Sequence, residues 1–529
     1  RAELPHQTSS TPTEQILMSN GSGTTPQTVR EVEVKLRVHG LFKLPDLVAH
    51  DVGVARAKRQ VVREMRAIYH DTRDLRLFRW GVTLRRREGG PDAGWHMKLP
   101  VKGITDGTRD ELQLPLDSGA VGEVPDALAN IVMPFVRDAP LAPIADVRTE
   151  RTPYILYNAD GVAIAEMVDD LVSIFDDGTQ VERYREIEVE ALVDDAPLEA
   201  IVDVLVEAGA TRSSISKAAA ALGPAAAGPP DVLEPEDVGP KDSAREAITA
   251  FLRKYIRAFI TQDVRVRRDL PDSVHQMRVA ARRLRSGLKA FGPLVDEEWA
   301  NHLRSELGWA AGELGAARDT EVLLERLDRH AEHLGSRDAA LVRAVIDPQL
   351  AARLESARDG ALDSLSTPRH VALLSALVAA ANDPKITELG DRQSNEVLPE
   401  LVDRSFRRLA RRVKELELEG PAEVWHEARI SAKRARYSAE AVAGVFGAPA
   451  KRLADALSEV TEILGEHQDA CIAQDVLREL AATAEIDGRT GFALGLLHEH
   501  EFEMELHNRL EFDKIWPHVR RVHKGTKLA

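Results

Sequence analysis

The chain has 529 residues, 43% of them hydrophobic and 29% charged, which is typical of a soluble globular protein and too long for a single core. The formal net charge of −16 and the aromatic content of 5% disfavour nucleic acid as a partner of the whole molecule. A single cysteine, Cys471, excludes an internal disulfide and a cysteine zinc cluster, and it fits a reducing compartment.

The N-terminal stretch does not resemble a secretory signal. Residues 1–28 are polar and are predicted to form a flexible lead-in, and they lack the apolar core of a secretory signal. No later run is long and apolar enough to span a membrane. We therefore expect a cytoplasmic protein.

The first predicted strand, residues 30–38, alternates with a period of two. One face carries Glu31, Glu33, Lys35 and Arg37, and the other face is aliphatic. Carboxylates two residues apart on a strand lie about 7 Å from each other, within reach of a shared hard cation or of neighbouring ones. The two basic residues follow in the same row, where they could bind phosphate oxygens. The alternative interpretation is an amphipathic edge strand with solvent-exposed ion pairs.

Later segments also predict strands with one apolar and one charged face. In chain order the charged residues are Arg85, Arg87, His96, Lys98, Arg109, Arg151, Asp169, Glu186, Glu188 and Glu190, and Lys217 closes the segment. Arginine and lysine outnumber small polar residues on these faces, unlike the solvated face of an open sheet. A closed antiparallel barrel with a polar interior explains the pattern, because such a tunnel would accept a linear, highly charged anion such as inorganic triphosphate.

The motif Glu31-x-Glu33-x-Lys35 resembles the signature of the CYTH family, the triphosphate tunnel metalloenzymes. The later elements follow in the family's order: Leu-Arg-x-Arg at 84–87, the Lys98 strand, Arg109-x-Glu111, Arg151 followed by Tyr154, the Asp169 strand, the late glutamates and Ser216-Lys217. The resemblance covers residues 29–221. It implies a Mg²⁺- or Mn²⁺-dependent triphosphatase in which the metal activates water.

The resemblance also implies roles for individual residues. Metal ligands would be Glu31, Glu33, two of Glu186, Glu188 and Glu190, and Asp169; the sequence leaves open which two late glutamates bind. Phosphate would be bound by Lys35, Arg37, Arg85, Arg87, Lys98, Arg109, Arg151 and Lys217. The predicted catalytic residues are Glu31, Glu33 and Lys35, with a metal-bound glutamate as proton acceptor, whereas His96 is interpreted as structural.

Residues 223–243 separate two regions of different composition. Five prolines and three glycines between 223 and 242 predict a semi-rigid linker. The predicted domains are therefore residues 29–222 and residues 244–529, and the second has an Ala-, Leu- and Arg-rich composition with helical periodicity.

The second region contains an internal duplication. The motif His275-x-x-Arg278-x-x-x-Arg282-Arg283-x-Arg285 returns about 150 residues later as His426-x-x-Arg429-x-x-x-Lys433-Arg434-x-Arg436. On a helix at about 100° per residue, the residues that share one face are His275, Arg278, Arg282, Arg285 and Lys289, and likewise His426, Arg429, Lys433 and Arg436. Almost no acidic residues lie between them, which favours a polyanion site over a solvated face.

This duplicated pattern resembles the CHAD domain, an α-helical module, over residues 244–522. The resemblance implies that those nine residues bind inorganic polyphosphate, which would allow association with polyphosphate granules. The predicted fold class is thus α+β multidomain, an N-terminal antiparallel β-barrel tunnel followed by a C-terminal all-α duplicated helical bundle. Two alternatives stay open: a non-enzymatic polyphosphate-binding protein, and an organic substrate such as thiamine triphosphate or ATP.

Overall fold

The computed structural model describes residues 27–31, 33–100, 109–118, 122–483 and 486–528. Most of the predicted lead-in, residues 1–26, lies outside the described residues. The chain divides into two compact units, Arg1–Ala129 with Pro140–Gly228, and Asn130–Ala139 with Pro229–Ala529. The predicted linker begins as a 3-10 helix at Gly223–Ala227. The exact domain boundaries given above stay a prediction.

In its described residues, the first unit is built on eleven β-strands and a few short helices. The strands are β1 (Gln27–Glu31), β2 (Glu33–Val38), β3 (Arg56–Arg59), β4 (Arg63–Asp71), β5 (Thr83–Glu88), β6 (Gly94–Pro100), β7 (Arg109–Pro115), β8 (Ala142–Tyr157), β9 (Ala163–Asp176), β10 (Thr179–Ala191) and β11 (Thr211–Arg212). The helices are α1 (Arg76–Arg79), α2 (Asp126–Val136, which contributes residues to both units), α3 (Leu198–Glu207) and α4 (Lys217–Leu222).

All strand pairs in this sheet are antiparallel, and the order is β1-β7-β6-β5-β4-β8-β9-β10-β2-β11, with β3 paired to β8 beside this path. The prediction of an antiparallel sheet domain is confirmed. The prediction that the sheet closes into a barrel is wrong, because the pairing is an open series with β1 and β11 at its ends.

The open sheet is nevertheless strongly curled. β1 lies at one end of the pairing order and β2 is next to the last strand at the other end, yet Glu31 ends β1 and Glu33 begins β2. Two residues of chain span at most about 7 Å, so the two ends of the sheet must come together. The covalent connection, not a hydrogen-bonded ladder, completes the turn of the sheet.

Alternating residues give the sheet one apolar face against the helices. Leu36 on β2, Ile187 and Val189 on β10, and Ile201 and Leu205 on α3 are fully buried in one cluster. Their charged neighbours therefore point to the opposite face, which is the concave face of the curled sheet. Ser216 caps α4 by accepting a hydrogen bond from the Ala219 backbone N–H, so the helix begins at Lys217.

The second unit is helical. Its helices are α5 (Ala244–Arg267), α6 (Ser273–Ala290), α7 (Glu297–Ala331), α8 (Ser336–Leu365), α9 (Pro368–Asn382), α10 (Ser394–Val413), α11 (Ala422–Ala441), α12 (Ala443–Phe446), α13 (Ala448–Thr483) and α14 (Gly488–Gly525). A 3-10 turn, Glu332–Leu334, joins α7 to α8. None of the helices in the described part of the chain is long and apolar enough to cross a bilayer.

The predicted duplication is visible in the helices. α5, α6, α7 and α8 begin about 150 residues before α10, α11, α13 and α14 respectively. Within α6, Leu284 and Leu288 are buried, as is Phe291 at its end. A second cluster joins α7 and α8 to α13 and α14. The prediction of an all-α duplicated bundle is confirmed.

Candidate functional site

The concave face of the sheet brings charged residues of β2 and β10 directly opposite each other. The cross-strand pairs are Glu33 with Glu190, Lys35 with Glu188, and Arg37 with Glu186. Residues opposite each other in a sheet have Cβ atoms about 5 Å apart, so each pair is in direct reach. All three late glutamates therefore lie on the predicted face.

Lys217 lies at the centre of three carboxylates. Its Nζ is 2.8 Å from Asp170 Oδ2, 2.6 Å from Glu186 Oε1 and 2.9 Å from Glu188 Oε1. Arg151 donates two hydrogen bonds to Asp170, at 2.8 and 2.7 Å, and a third to Glu188 at 2.8 Å. We call these five residues the Lys217 cluster.

The charges within the Lys217 cluster compensate each other. Burial alone would raise the pKa of Glu188, but Lys217, Lys35 and Arg151 hold it well below its usual value. Burial opposes the charge of Lys217, yet the three carboxylates raise its pKa well above the usual value. The pKa of Glu186 is raised, chiefly by burial. The cluster is therefore a set of internal ion pairs with a cation already at its centre.

A second group of carboxylates crosses three adjacent strands. Glu190 on β10 lies opposite Glu33 on β2 and, on its other side, opposite Glu166 on β9. Burial and the negative charges of Glu33 and Glu166 raise the pKa of Glu190. Lys35 Nζ lies 2.9 Å from Glu33. These three glutamates, the acidic row, offer several oxygen ligands with excess negative charge, the donor set that Mg²⁺ and Mn²⁺ prefer.

A group of basic residues on β5 and β6 shares the same concave face. This basic wall consists of Arg85, Arg87 and Lys98. Glu111 on β7 anchors it: Lys98 Nζ lies 3.5 Å and Arg85 Nη2 3.9 Å from its carboxylate oxygens. His96 contacts Glu111 through Nδ1 at 2.7 Å and the Asp92 carbonyl through Nε2 at 2.8 Å. Both ring nitrogens thus contact protein groups, which supports the structural interpretation of this histidine.

The basic wall faces the acidic row across the curled sheet. Four strands separate β6 from β10 in the pairing order, yet Lys98 lies close enough to Glu190 for its positive charge to oppose part of the rise in the pKa of that carboxyl. The exposed fractions of the side chains are 27% for Glu33, 18% for Arg85 and 19% for Lys98, so none points into bulk solvent. The face is a partly enclosed concave surface.

Positive charge is crowded within this surface. Burial, together with the nearby Arg85 and Arg151, lowers the pKa of Arg87 to about 9. Arg87 forms an ion pair with Asp92. A polyanion bound among these guanidinium groups would relieve their mutual repulsion.

The helical unit contains a groove of about 740 Å³ whose charged lining is almost entirely basic. The basic residues come from four helices: Arg282, Arg285 and Lys289 on α6, Arg304 on α7, Arg404 and Arg408 on α10, and Lys433 and Arg434 on α11. Burial, and the charges of Arg429 and Arg282, lower the pKa of Lys433 to about 8. We call this surface the basic groove.

Other residues of the duplicated motif contact protein groups outside the groove. Arg278 donates to Asp319 at 3.0 Å, and His426 contacts Gln468 at 2.5 Å. Glu440, which stands where the first copy has Lys289, accepts from Arg436 at 2.9 Å and pairs with Arg283. At the C-terminal end of the motif helix, the positive charge of the second copy is therefore neutralised by Glu440, whereas the first copy keeps the positive charge of Lys289.

Comparisons with known proteins agree with both halves of this description. A family model described as the CYTH domain matches residues 29–221, and one described as the CHAD domain matches residues 250–478. The chain belongs to the CYTH–CHAD proteins. An uncharacterized protein of Mycobacterium tuberculosis (strain CDC 1551 / Oshkosh), MT2285, is 31% identical over 509 residues, which cover 90% of this chain and 93% of the relative.

Solved structures are similar to parts of the chain. The crystal structure of the CHAD domain from the plant Ricinus communis is 23% identical, with a TM-score of 0.43, and the match covers 56% of this chain and 97% of that one. A putative adenylyl cyclase from Hippeastrum, described as having a dominant triphosphatase activity, is 18% identical with a TM-score of 0.23, and the match covers 37% of this chain and 98% of that one.

Most predicted CYTH-domain residues lie on the concave face, but Asp169 does not. Asp169 accepts two hydrogen bonds from Arg185, at 2.7 and 2.6 Å, and it lies opposite Ile187, on the other face of the sheet. Its neighbour Asp170 lies in the Lys217 cluster instead. Asp169 is therefore not placed where it could share a cation with the late glutamates, because consecutive strand residues point to opposite faces.

Two predicted residues can be placed only by their backbone. Glu31 and Arg109 lie opposite each other in the pairing of β1 with β7, and their side chains lie outside the described part of the structure.

Arg37 packs over the ring of Tyr184, with its Cζ 3.5 Å from the ring centroid.

Residues missed by the sequence analysis complete both surfaces. Glu166 belongs to the acidic row and Asp170 to the Lys217 cluster, but the apolar Val168 lies between them on the same face of β9, so alternation alone does not identify either residue. In the CHAD domain, Arg304 lies on α7, outside the duplicated motif, so no signal in the motif could have identified it. Arg434, which is not among the residues predicted to share one face of its helix, also lines the basic groove.

Proposed function

We propose that the CYTH domain hydrolyses a linear triphosphate, with inorganic tripolyphosphate as the preferred substrate, in a Mg²⁺- or Mn²⁺-dependent reaction. The observation that supports this best is the partly enclosed concave face, on which the acidic row lies opposite the basic wall. A triphosphate would bring negative charge to the wall, and a divalent cation would bring positive charge to the row.

The acidic row is the proposed metal site. Of the three late glutamates, Glu186 and Glu188 contact Lys217, whereas Glu190 lies between Glu33 and Glu166. We therefore assign Glu33, Glu166 and Glu190 as ligands, and the sequence motif adds Glu31, whose side chain lies outside the described part of the structure. A divalent cation bound there would neutralise phosphate charge and lower the pKa of a coordinated water.

The protein's own residues supply binding, orientation and charge. Arg85, Arg87 and Lys98 would bind the phosphate oxygens and stabilise the charge that develops on the leaving group. The Lys217 cluster, including Arg151, holds one wall of the site in place through internal ion pairs. A carboxylate of the acidic row, Glu166 or Glu190, would accept the proton of the attacking water.

The test is phosphate release by the full chain from tripolyphosphate, ATP and thiamine triphosphate, measured after EDTA treatment and again after addition of Mg²⁺ or Mn²⁺. We expect activity only with metal, and the highest kcat/KM for tripolyphosphate. Faster turnover of ATP or thiamine triphosphate would contradict the proposed substrate. The absence of release from all three by folded protein would leave a non-enzymatic binding domain.

For the CHAD domain, we propose binding of inorganic polyphosphate in the basic groove. The supporting observation is that, among the described residues that line it, eight from four helices are basic and only Glu297 is acidic. Arg404→Ala with Arg408→Ala should weaken binding of labelled polyphosphate to the full chain. Arg407 provides the matched control, because it lies on the same helix but pairs with Glu400 and Asp403. If Arg407→Ala weakened polyphosphate binding as much as the substitutions at Arg404 and Arg408, the assignment of the basic groove as the binding site would be wrong.

A further inference from the structure

Three histidine rings outside the duplicated motif come together in the helical unit. They are His330 on α7, His333 on the 3-10 turn that follows it, and His500 on α14. The ring centroids lie 4.9 Å apart for His330 and His500, 5.2 Å for His333 and His500, and 6.4 Å for His330 and His333. Nothing in the proposed triphosphatase or polyphosphate site uses these residues.

A buried carboxylate orients one of these rings. Glu501 is fully buried, and its two oxygens contact His330 Nδ1 at 2.7 Å and Arg326 Nε at 2.9 Å. A carboxylate oxygen accepts the hydrogen bond from His330 Nδ1, so in a singly protonated ring Nε2 carries the electron pair that can bind a metal. A carboxylate behind a histidine in this way is the usual outer contact of a metal-binding imidazole.

His500 contributes a second free nitrogen. Its Nε2 is buried and has no hydrogen-bond partner among the described residues. A buried polar nitrogen without a partner costs free energy, which a ligand at this position would recover. His333 is exposed, so its ring can turn without disturbing the core.

We propose that His330, His333 and His500 bind a divalent transition-metal ion of the zinc type, with Glu501 as the outer contact of His330. Metal–nitrogen bonds of about 2.0–2.1 Å place two imidazole centroids about 5 Å apart on a tetrahedral ion, which matches the two shorter separations. Convergence of all three rings requires rotation of the exposed His333. The ion would join α7 to α14, and a fourth position would stay open to water or another ligand.

The test is calorimetric titration of the tag-free full chain with Zn²⁺. Excess Mg²⁺ is included because it competes for the carboxylates of the CYTH domain, whereas imidazole is a poor ligand for Mg²⁺. We expect one equivalent of Zn²⁺ to bind and to raise the melting temperature of the helical unit. His333→Ala, which changes an exposed side chain, and His500→Ala should each weaken Zn²⁺ binding by at least about tenfold.

His507→Ala is the matched control, because His507 is an exposed histidine on α14 outside the cluster. Its Zn²⁺ affinity should equal that of the wild type. The proposal would be overturned if the wild type failed to bind one equivalent of Zn²⁺, or if His333→Ala bound Zn²⁺ with unchanged affinity. It would also be overturned if His507→Ala lost as much Zn²⁺ affinity as the cluster variants. The proposed triphosphatase activity would be unaffected by any of these outcomes.

Discussion

At the scale of single residues, the pair Asp169 and Asp170 shows how strand alternation decides function. Asp170 is fully buried on the concave face between Arg151 and Lys217, whereas Asp169 binds Arg185 on the other face. The two carboxylates have the same chemistry and adjacent positions. Only the face that each occupies distinguishes them.

This pair gives a matched prediction. Asp170→Asn should lower kcat/KM for tripolyphosphate by about 10²-fold, because Arg151 and Lys217 lose the charge that holds them in place. Asp169→Asn should change kcat/KM by less than about threefold, since it alters only the outer face. Steady-state kinetics on both variants, with circular dichroism to confirm folding, provide the measurement. Equal loss in both variants would contradict the assignment of the concave face.

The lowered pKa of Lys433 predicts a pH dependence of polyphosphate binding. Lys433 is protonated below its pKa of about 8 and neutral above it, so a cation of the basic groove is lost as the pH rises from 7 to 9. Polyphosphate affinity should fall by about tenfold over this range, which corresponds to one charge-assisted contact. Lys433→Arg should remove most of this step, because arginine stays protonated. Binding that is independent of pH in the wild type would contradict the prediction.

Sequence reasoning at this scale succeeded where residues alternate in a strand or recur on a helix. Lys35, Lys98 and Glu190 could be placed on one face because their strands have a period of two. Asp169 could not be separated from Asp170, since two adjacent aspartates give no indication of which faces inward. Arg304 reaches the basic groove only through the packing of α7, which the linear sequence does not encode as a motif.

At the scale of elements, helix packing in the CHAD domain depends on a close approach between α5 and α6. A Cβ atom at Gly287 on α6 would lie 2.3 Å from ring atoms of Phe251 on α5. A side chain at this position would therefore collide with the ring. A glycine inside a helix costs about 0.5–1 kcal/mol relative to alanine. Close packing of the two helices compensates for this cost.

This contact predicts opposite effects of two similar substitutions. Gly287→Ala should destabilise the helical unit by about 1–3 kcal/mol, because the added methyl group overpacks the contact with Phe251. Gly312→Ala, on α7 where a Cβ would meet no atom within 4 Å, should stabilise the unit by about 0.5–1 kcal/mol. Calorimetric melting of both variants measures the shifts. A Gly287→Ala variant as stable as Gly312→Ala would contradict the packing.

The closure of the sheet is the element-level feature that the sequence could not establish. Alternation identifies strands and their faces, and the order of motifs identified the family, but pairing between distant strands follows from tertiary packing. The structure replaces the predicted closed barrel with an open pairing order whose ends are joined at residues 31–33. The concave face predicted from the charges is retained.

At the scale of the whole molecule, a net charge of −16 coexists with two local basic surfaces. Attraction of a polyanion must therefore come from those surfaces, and it is opposed by the rest of the chain. We expect polyphosphate affinity to fall by at least about tenfold between about 50 and about 200 mM salt, because several phosphate contacts are screened together. Fluorescence anisotropy of labelled polyphosphate measures this affinity, with duplex DNA added as a competitor. Equal competition by DNA at moderate salt would contradict the ligand assignment.

The most direct test of the central claim is phosphate release from tripolyphosphate as a function of Mg²⁺ or Mn²⁺ concentration, for the wild type and for Glu190→Gln. If the acidic row binds the metal opposite the basic wall, the wild type is active only with metal, and Glu190→Gln requires at least about tenfold more metal for half-maximal rate. The same metal dependence in both proteins would contradict the proposed metal site, and no release by the folded wild type would contradict the proposed activity.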